Sequence, residues 1–480
     1  MKKKMLAFVI VFALAFAIVS VSSAALPGSG WWQGASFQNV GTGQATVVLT
    51  AYDSTSTDTY THQLTVAQGA SVTVLPNDIP NLPSGFLGSI AASSDQPLAA
   101  QVNVTNRQAA GYGVAGGKAA AYYNGVNGDQ TGTSWLFPLV KHNHFNKTTT
   151  FYLQNAGSAS TTVDVEFVVG GNTYPYTTPP VGPGQMVAVD PGLANVPTGN
   201  GNIGAMEATS SEPIAAVMLE HEHNASVAVV LQGSGGFTPA GLNSEVFCPL
   251  YKKNYYGRNS GMQVQNAHAS SQNITVTFVS ASGTEYTSTA NNVASGASVL
   301  FYGPDIGNLP GGNNNGLYSA RVEGAAGNVA VVVNESELPL VNPVQTSTTY
   351  ACQASTAATS TVSYPAYKQN WFGRATGMQV QNVGSSDASN VVMTFVDNNG
   401  NTHTTNPLSI DAGAALNIVN AHTMSIWSGS SLPNSTLSGV IITSDQPIMV
   451  VSNESSWSGI SPDNGPSSFD KSNAEGFNLD

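Results

Sequence analysis

Charge is what this sequence lacks most. Only 9% of its 480 residues are Asp, Glu, Lys or Arg, against about a quarter in an ordinary globular chain, which sets it apart from a typical cytosolic enzyme. Basic residues are the scarcer kind, 14 against 27 acidic, so the surface repels nucleic acid and anionic membranes. There are two cysteines, so neither a cysteine-rich zinc module nor a disulfide-dense mini-protein is possible. After the N-terminal region no apolar run reaches the ~18 residues that would cross a membrane as a helix, and no amphipathic helical period exceeds two turns. The motifs HExxH, GxSxG, CxxC, the P-loop and the EF-hand loop are all missing. The residues therefore give no enzyme and no cofactor. Gly111–Gly116 matches GxGxxG, but without a strand before it, a helix after it and an acidic residue beyond, it reads as a connector.

What is present is apolar residue and turn former in quantity: 41% hydrophobic, 49 Gly and 25 Pro. Residues 1–25 have the form of a cleaved export signal, with Lys2, Lys3 and Lys4, an apolar run from Met5 to Val21, and small residues from Ser22 to Ala25. Its removal leaves a mature net charge of −16 and predicts an extracellular or cell-surface protein with no integral membrane segment.

A repeat governs the rest. Gln-Asn pairs stand at 38–39, 154–155, 265–266 and 381–382, with intervals of 116, 111 and 116 between the asparagines. Period-two runs follow them, such as Val163, Val165, Phe167 and Ile274, Val276, Phe278, and Val391, Met393, Phe395 hold the matching places in the last copy. Such alternation marks strands with one face on a core, and turn formers interrupt them every ~10 residues. The expectation is an all-β chain of four tandem antiparallel immunoglobulin-like β-sandwich domains. They span 26–130 (divergent, with the opening segment missing), 131–240, 241–358 and 359–460, followed by a disordered acidic tail at 461–480. Gly- and Ser-rich joints lie near 125–133, 233–244 and 353–361.

The recurring elements Phe-Pro-Leu-Val-Lys at 137–141, Gly-Met-Gln-Val-Gln-Asn at 261–266 and 377–382, and Asp-Gln-Pro-Ile at 445–448 resemble a repeat of secreted bacterial surface proteins with tandem β-sandwich domains. The resemblance implies an envelope-associated module and transfers no catalytic residue.

Three sets of residues stand out. Cys248 and Cys352 fall at the two ends of the third copy, and a bond between them would close a loop of about 100 residues. The aromatic pairs Trp31-Trp32, Tyr255-Tyr256 and Trp371-Phe372 lie near the opening segments, either as platforms for a glycan or partner protein or as packing at domain ends. His142, His144, His221 and His223 cluster in the second copy; if both pairs lie in strands, each shares a face and suits Zn or Cu. The other copies set Lys252 or Lys368 against Glu335 or Glu454, so a solvated polar patch is the alternative. The function expected is a non-enzymatic surface protein, structural or adhesive, assembling with itself or with other envelope proteins into a filament or layer. The alternative is carbohydrate binding through the paired aromatics.

Overall fold

The computed structural model describes residues 8–14, 26, 31–106, 119–222, 231–337, 347–371, 373–456 and 472–479. Among them the only helical segments are 3-10 turns of three or four residues, and every strand pairing is antiparallel. The chain is all-β.

The first domain comprises β1 (Phe8–Leu14), β2 (Trp31–Asn39), β3 (Ala45–Asp53), β4 (Thr59–Val66), β5 (Ser71–Val74), β6 (Gly88–Ser94), β7 (Leu98–Asn106), β8 (Ala119–Asn124) and β9 (Val126–Asn127). They form two sheets, β4-β3-β6-β1-β9 and β5-β2-β7-β8. The third domain repeats this order. In the second and fourth, single long strands, Ile203–Glu222 and Thr436–Ser456, replace the β6 and β7 equivalents and run through both sheets. The alternating runs behave as their pattern dictates: Val163, Val165, Phe167, Ile274, Val276, Phe278, Val391, Met393 and Phe395 are all buried.

The Gln-Asn pairs mark one local device used four times. Each Asn Nδ2 donates to two carbonyls, those of Gly43 and Val66, Ala159 and Val181, Ser270 and Val293, or Ser386 and Ile410. Each Gln Nε2 donates to the carbonyl of a glycine at positive φ: Gly69, Gly184, Gly296 or Gly413. The buried amide N–H groups are thus satisfied by pinning the loops at the domain end, while the four glutamine Oε1 atoms have no partner.

The opening strands Gly132–Lys141, Glu245–Lys252 and Thr359–Gln369 each pair along the late strand of their sheet and yet contain proline. Their registers shift between Phe137 and Val140, Cys248 and Tyr251, and Tyr364 and Tyr367, around Pro138, Pro249 and Pro365. A bulge is where a central strand tolerates a residue that cannot donate.

Residues near both chain ends supply strands. Among the described residues no opening strand arises within 26–130; its place is taken by β1, from the apolar run Met5–Val21, which pairs with β6 from Phe8↔Ser94 to Leu14↔Gly88 and with β9. Against expectation, the tail is not uniformly disordered. Ser472–Glu475 and Phe477–Leu479 are strands, pairing with Thr436–Ser456 and Thr359–Gln369, and Asn473, Ala474 and Glu475 are buried. The tail supplies the last strand of the fourth sandwich, a role that its short, polar-flanked sequence hides.

The domains are not beads on joints. Their last strands, β8, Leu231–Gly235, Ser347–Ala351 and Ser472–Glu475, lie side by side in a closed cycle, first against second, second against third, third against fourth and fourth against first. The opening strand of each domain also packs on the second sheet of the next, and that of the fourth packs on the first domain. The cores merge accordingly. Tyr122 of β8 packs in the fourth core, Val332 in the second, Val451 in the third, and Tyr152, Val217 and Leu231 in the first. The chain is a pseudo-fourfold ring.

Candidate functional site: hairpin tips, seams and the ring axis

The hairpins after the opening strands of domains two, three and four begin at His144, Tyr255 and Trp371, so two of the three aromatic pairs fall there. Isolated bridges His144↔Lys147, Tyr255↔Arg258 and Trp371↔Arg374 leave two residues in each loop. Phe145 and Asn146 have φ of 48° and 62°, and Tyr256 and Gly257 have φ of 49° and 76°. Two positive φ values in a two-residue loop define the mirror-image turn that matches strand twist, normally Asn-Gly. A bulky first residue there costs ~1–2 kcal/mol. Phe145 and Tyr256 are nevertheless 68% and 62% exposed. Each stands edge-to-face on its predecessor, His144 to Phe145 at 4.7 Å and Tyr255 to Tyr256 at 4.8 Å. The neighbouring loop holds the turn, Asn200 Oδ1 accepting from Phe145 N and Asn313 Oδ1 from Tyr256 N. These tips occupy equivalent places in successive domains.

Trp371 is half-buried at the same place in the fourth domain, while Phe372 lies outside the described residues. Trp32 lies in β2, and Trp31 is not an exposed platform. It is 5% exposed, and in strand register it takes the position of Lys147, Arg258 and Arg374. Phe145, in contrast, was not singled out from the sequence. The signal was there: Asn143-His144-Phe145-Asn146-Lys147 aligns with Asn254-Tyr255-Tyr256-Gly257-Arg258.

The histidine arrangement differs from the expected one. Gly132–Lys141 ends before His142, and Asn143 turns the chain at φ 57°, so His142 and His144 are not alternate strand residues. His142 Nδ1 lies 2.5 Å from the Val196 carbonyl oxygen, His144 Nδ1 accepts from Gly201 N, and His221 Nε2 is 3.0 Å from Thr150 Oγ1. His223 lies outside the described residues. Among the described residues no three His, Cys, Asp or Glu side chains gather as metal ligands. Burial, with Lys141 nearby, pushes His144 down to about 4, which leaves it a neutral ring at physiological pH.

The Lys–Glu pairs are real, but they are buried at the seams of the ring rather than solvated. Glu220 lies 2.6 Å from Lys141 and 3.9 Å from Lys147, whose Nζ donates to Ser347 of the next domain. Glu335 is held by Lys252 and Arg258, both at 2.5 Å. Glu454 is held by Lys368 and Arg374, and accepts from Tyr122 Oη of the first domain at 2.5 Å. Burial works against ionisation of these carboxylates, yet the paired cations outweigh it and hold all three below their ordinary range. The first domain has Val104 where the others have Glu, so this place in its seam is apolar, with Trp31 and Leu231 in one core.

A cavity of about 640 Å³ opens at one end of the axis, lined by Asn124, Gly235, Ala351, Glu475 and the three joints. By strand register these four residues are equivalent, so a carboxylate appears in one copy of four. Glu475 accepts a hydrogen bond from Ala351 N, and burial pushes it up to about 7. Beside this end, Cys248 and Cys352 form the expected disulfide.

No protein-family model matches the chain, and no curated protein sequence matches it. Among solved structures, the Thermotoga maritima 1070 protein is similar at 16% identity and a TM-score of 0.20, over 23% of this chain and 91% of that one. The Anabaena sensory rhodopsin transducer matches at 19% identity and 0.16, over 19% of this chain and 93% of that one. The tetra-tandem repeat from the extending region of a large adhesion protein matches at 14% and 0.11, over 91% and 92%. At these scores each is a likeness only.

Proposed function

We propose that the chain is an exported, non-enzymatic surface protein of structural or adhesive role, in which one end of a four-domain ring presents aromatic hairpin tips to a partner. The exposure of Phe145 and Tyr256 in strained turns carries this reading. Strain of this kind persists where a side chain is wanted outside the fold's own packing, and flat aromatic faces stack on sugars and on apolar protein surfaces. The export-signal pattern supports an extracellular setting, and so does the disulfide, since such bonds persist in oxidising compartments.

Carbohydrate is the first ligand class to test, because each tip couples two rings at right angles on a surface with few charges. The full secreted chain is to be measured on immobilised polysaccharides and on isolated cell envelopes, beside a Phe145→Ala/Tyr256→Ala variant. The expected result is binding that the variant loses with its melting temperature unchanged. Equal binding by both proteins would overturn the assignment to the tips.

A further inference from the structure

The first domain is completed by a strand that the export signal supplies. Phe8–Leu14 lies between β6, which it pairs along seven residues, and β9, and it also packs against Lys147–Asn155 and Ile203–Glu222 of the second domain. The equivalent strands of the other three domains belong to the mature sequence and carry the proline bulge, whereas β1 pairs without a register shift. The connection to the next strand differs too. It has four or five residues in domains two to four but sixteen, 15–30, in domain one. The small residues Ser22 to Ala25 of the cleavage pattern fall inside that long connection.

We propose that leader removal leaves domain one as a strand acceptor, and that the place of β1 is filled by an extended apolar segment of about seven residues from a partner polypeptide. This rests on the export reading above. The chemistry of the donor follows from the place. The equivalent strands Gly132–Lys141 and Glu245–Lys252 are buried at successive positions, not at alternate ones. A donor must therefore be apolar on both faces, while its backbone satisfies β6 on one side and β9 on the other. Phe-Val-Ile-Val-Phe-Ala-Leu has that pattern. A second copy of this chain has no described strand to lend, because each is already paired within its own ring. The slot lies at the seam with domain two, so filling it also adds to the contact between the first two domains.

The test uses the mature chain, residues 26–480, with a synthetic peptide of residues 6–16 as the probe and the same peptide with lysine at Val9, Val11 and Ala13 as control. The expected result is a one-to-one complex by native mass spectrometry, a melting temperature raised by several degrees, and roughly tenfold slower amide exchange over residues 88–94; the control does none of these. Fast-exchanging 88–94 amides before peptide addition support the vacancy. Full protection of those amides in a peptide-free monomer, or oligomers that form without peptide, would overturn the proposal. N-terminal sequencing of the secreted protein separates the two readings, since retention of residues 8–14 sinks the export reading and keeps the strand in cis.

Discussion

A single side chain decides how each hairpin tip trades stability for display. Tyr256 holds a left-handed φ that glycine adopts freely, so Tyr256→Gly is expected to raise stability by about 1 kcal/mol while weakening ligand binding. Chemical denaturation and the binding measurement check the two halves separately, and a variant that is destabilised contradicts the strain. The disulfide is also a residue-scale choice. In domain two, Phe137 and Gly236 occupy the places of Cys248 and Cys352, and a Cβ on Gly236 would stand 2.4 Å from the Phe137 ring. Gly236→Ala is accordingly expected to cost ~1–3 kcal/mol by overpacking. Reducing the Cys248–Cys352 bond, which spans 104 residues, is expected to cost up to about 5 kcal/mol in the chain-entropy view, read as a lower denaturant midpoint under reductant.

At the scale of elements, the seams are of two kinds. Three bury a glutamate between two cations, and removing one partner of such a set leaves uncompensated charge. Glu335→Gln is therefore expected to cost about 3–5 kcal/mol, and Tyr122→Phe, which takes one donor from Glu454, about 1–3 kcal/mol; urea unfolding of the full chain measures both. At the matching place in the fourth seam stand the apolar Trp31 and Val104. Val104→Glu would bury a carboxylate with no cation at the Trp31 position, and should destabilise as strongly as Glu335→Gln. The difference also labels the seams, since an apolar face does not exchange with a charged one without penalty. The Lys–Glu pairing was legible by aligning the repeats, but its burial was not, because the covering surface belongs to the next domain.

For the whole molecule, acidity acts at two places with opposite sign. Glu220, Glu335 and Glu454 titrate below the unfolded value of about 4.3, so their contribution is present above that pH and lost as pH falls through their folded values. Glu475 is raised to about 7. Its contribution is complete below about 4.3 and is lost as pH rises toward 7. Melting temperature should decline between those values in the native chain, and Glu475→Gln should flatten that decline while leaving the acid limb intact. A decline that survives the substitution would place its origin elsewhere.

The sequence by itself determined the class of fold, the four copies, their strands and the cysteine pair. Those features rest on period-two alternation, turn residues and a repeated Gln-Asn device, all of which act over a few tens of residues. Tertiary structure alone decided that the copies close into a ring, that the tail is a strand, and that Trp31 is buried while Phe145 is not. Those outcomes depend on contacts such as Tyr122 with Glu454, 332 residues apart, where a local pattern carries no information about which surface will cover which. The first opening strand shows the same limit. An apolar segment with β-branched residues satisfies a membrane-targeting pattern and a sheet strand equally well, and only its pairing with β6 and β9 brings the second role into view.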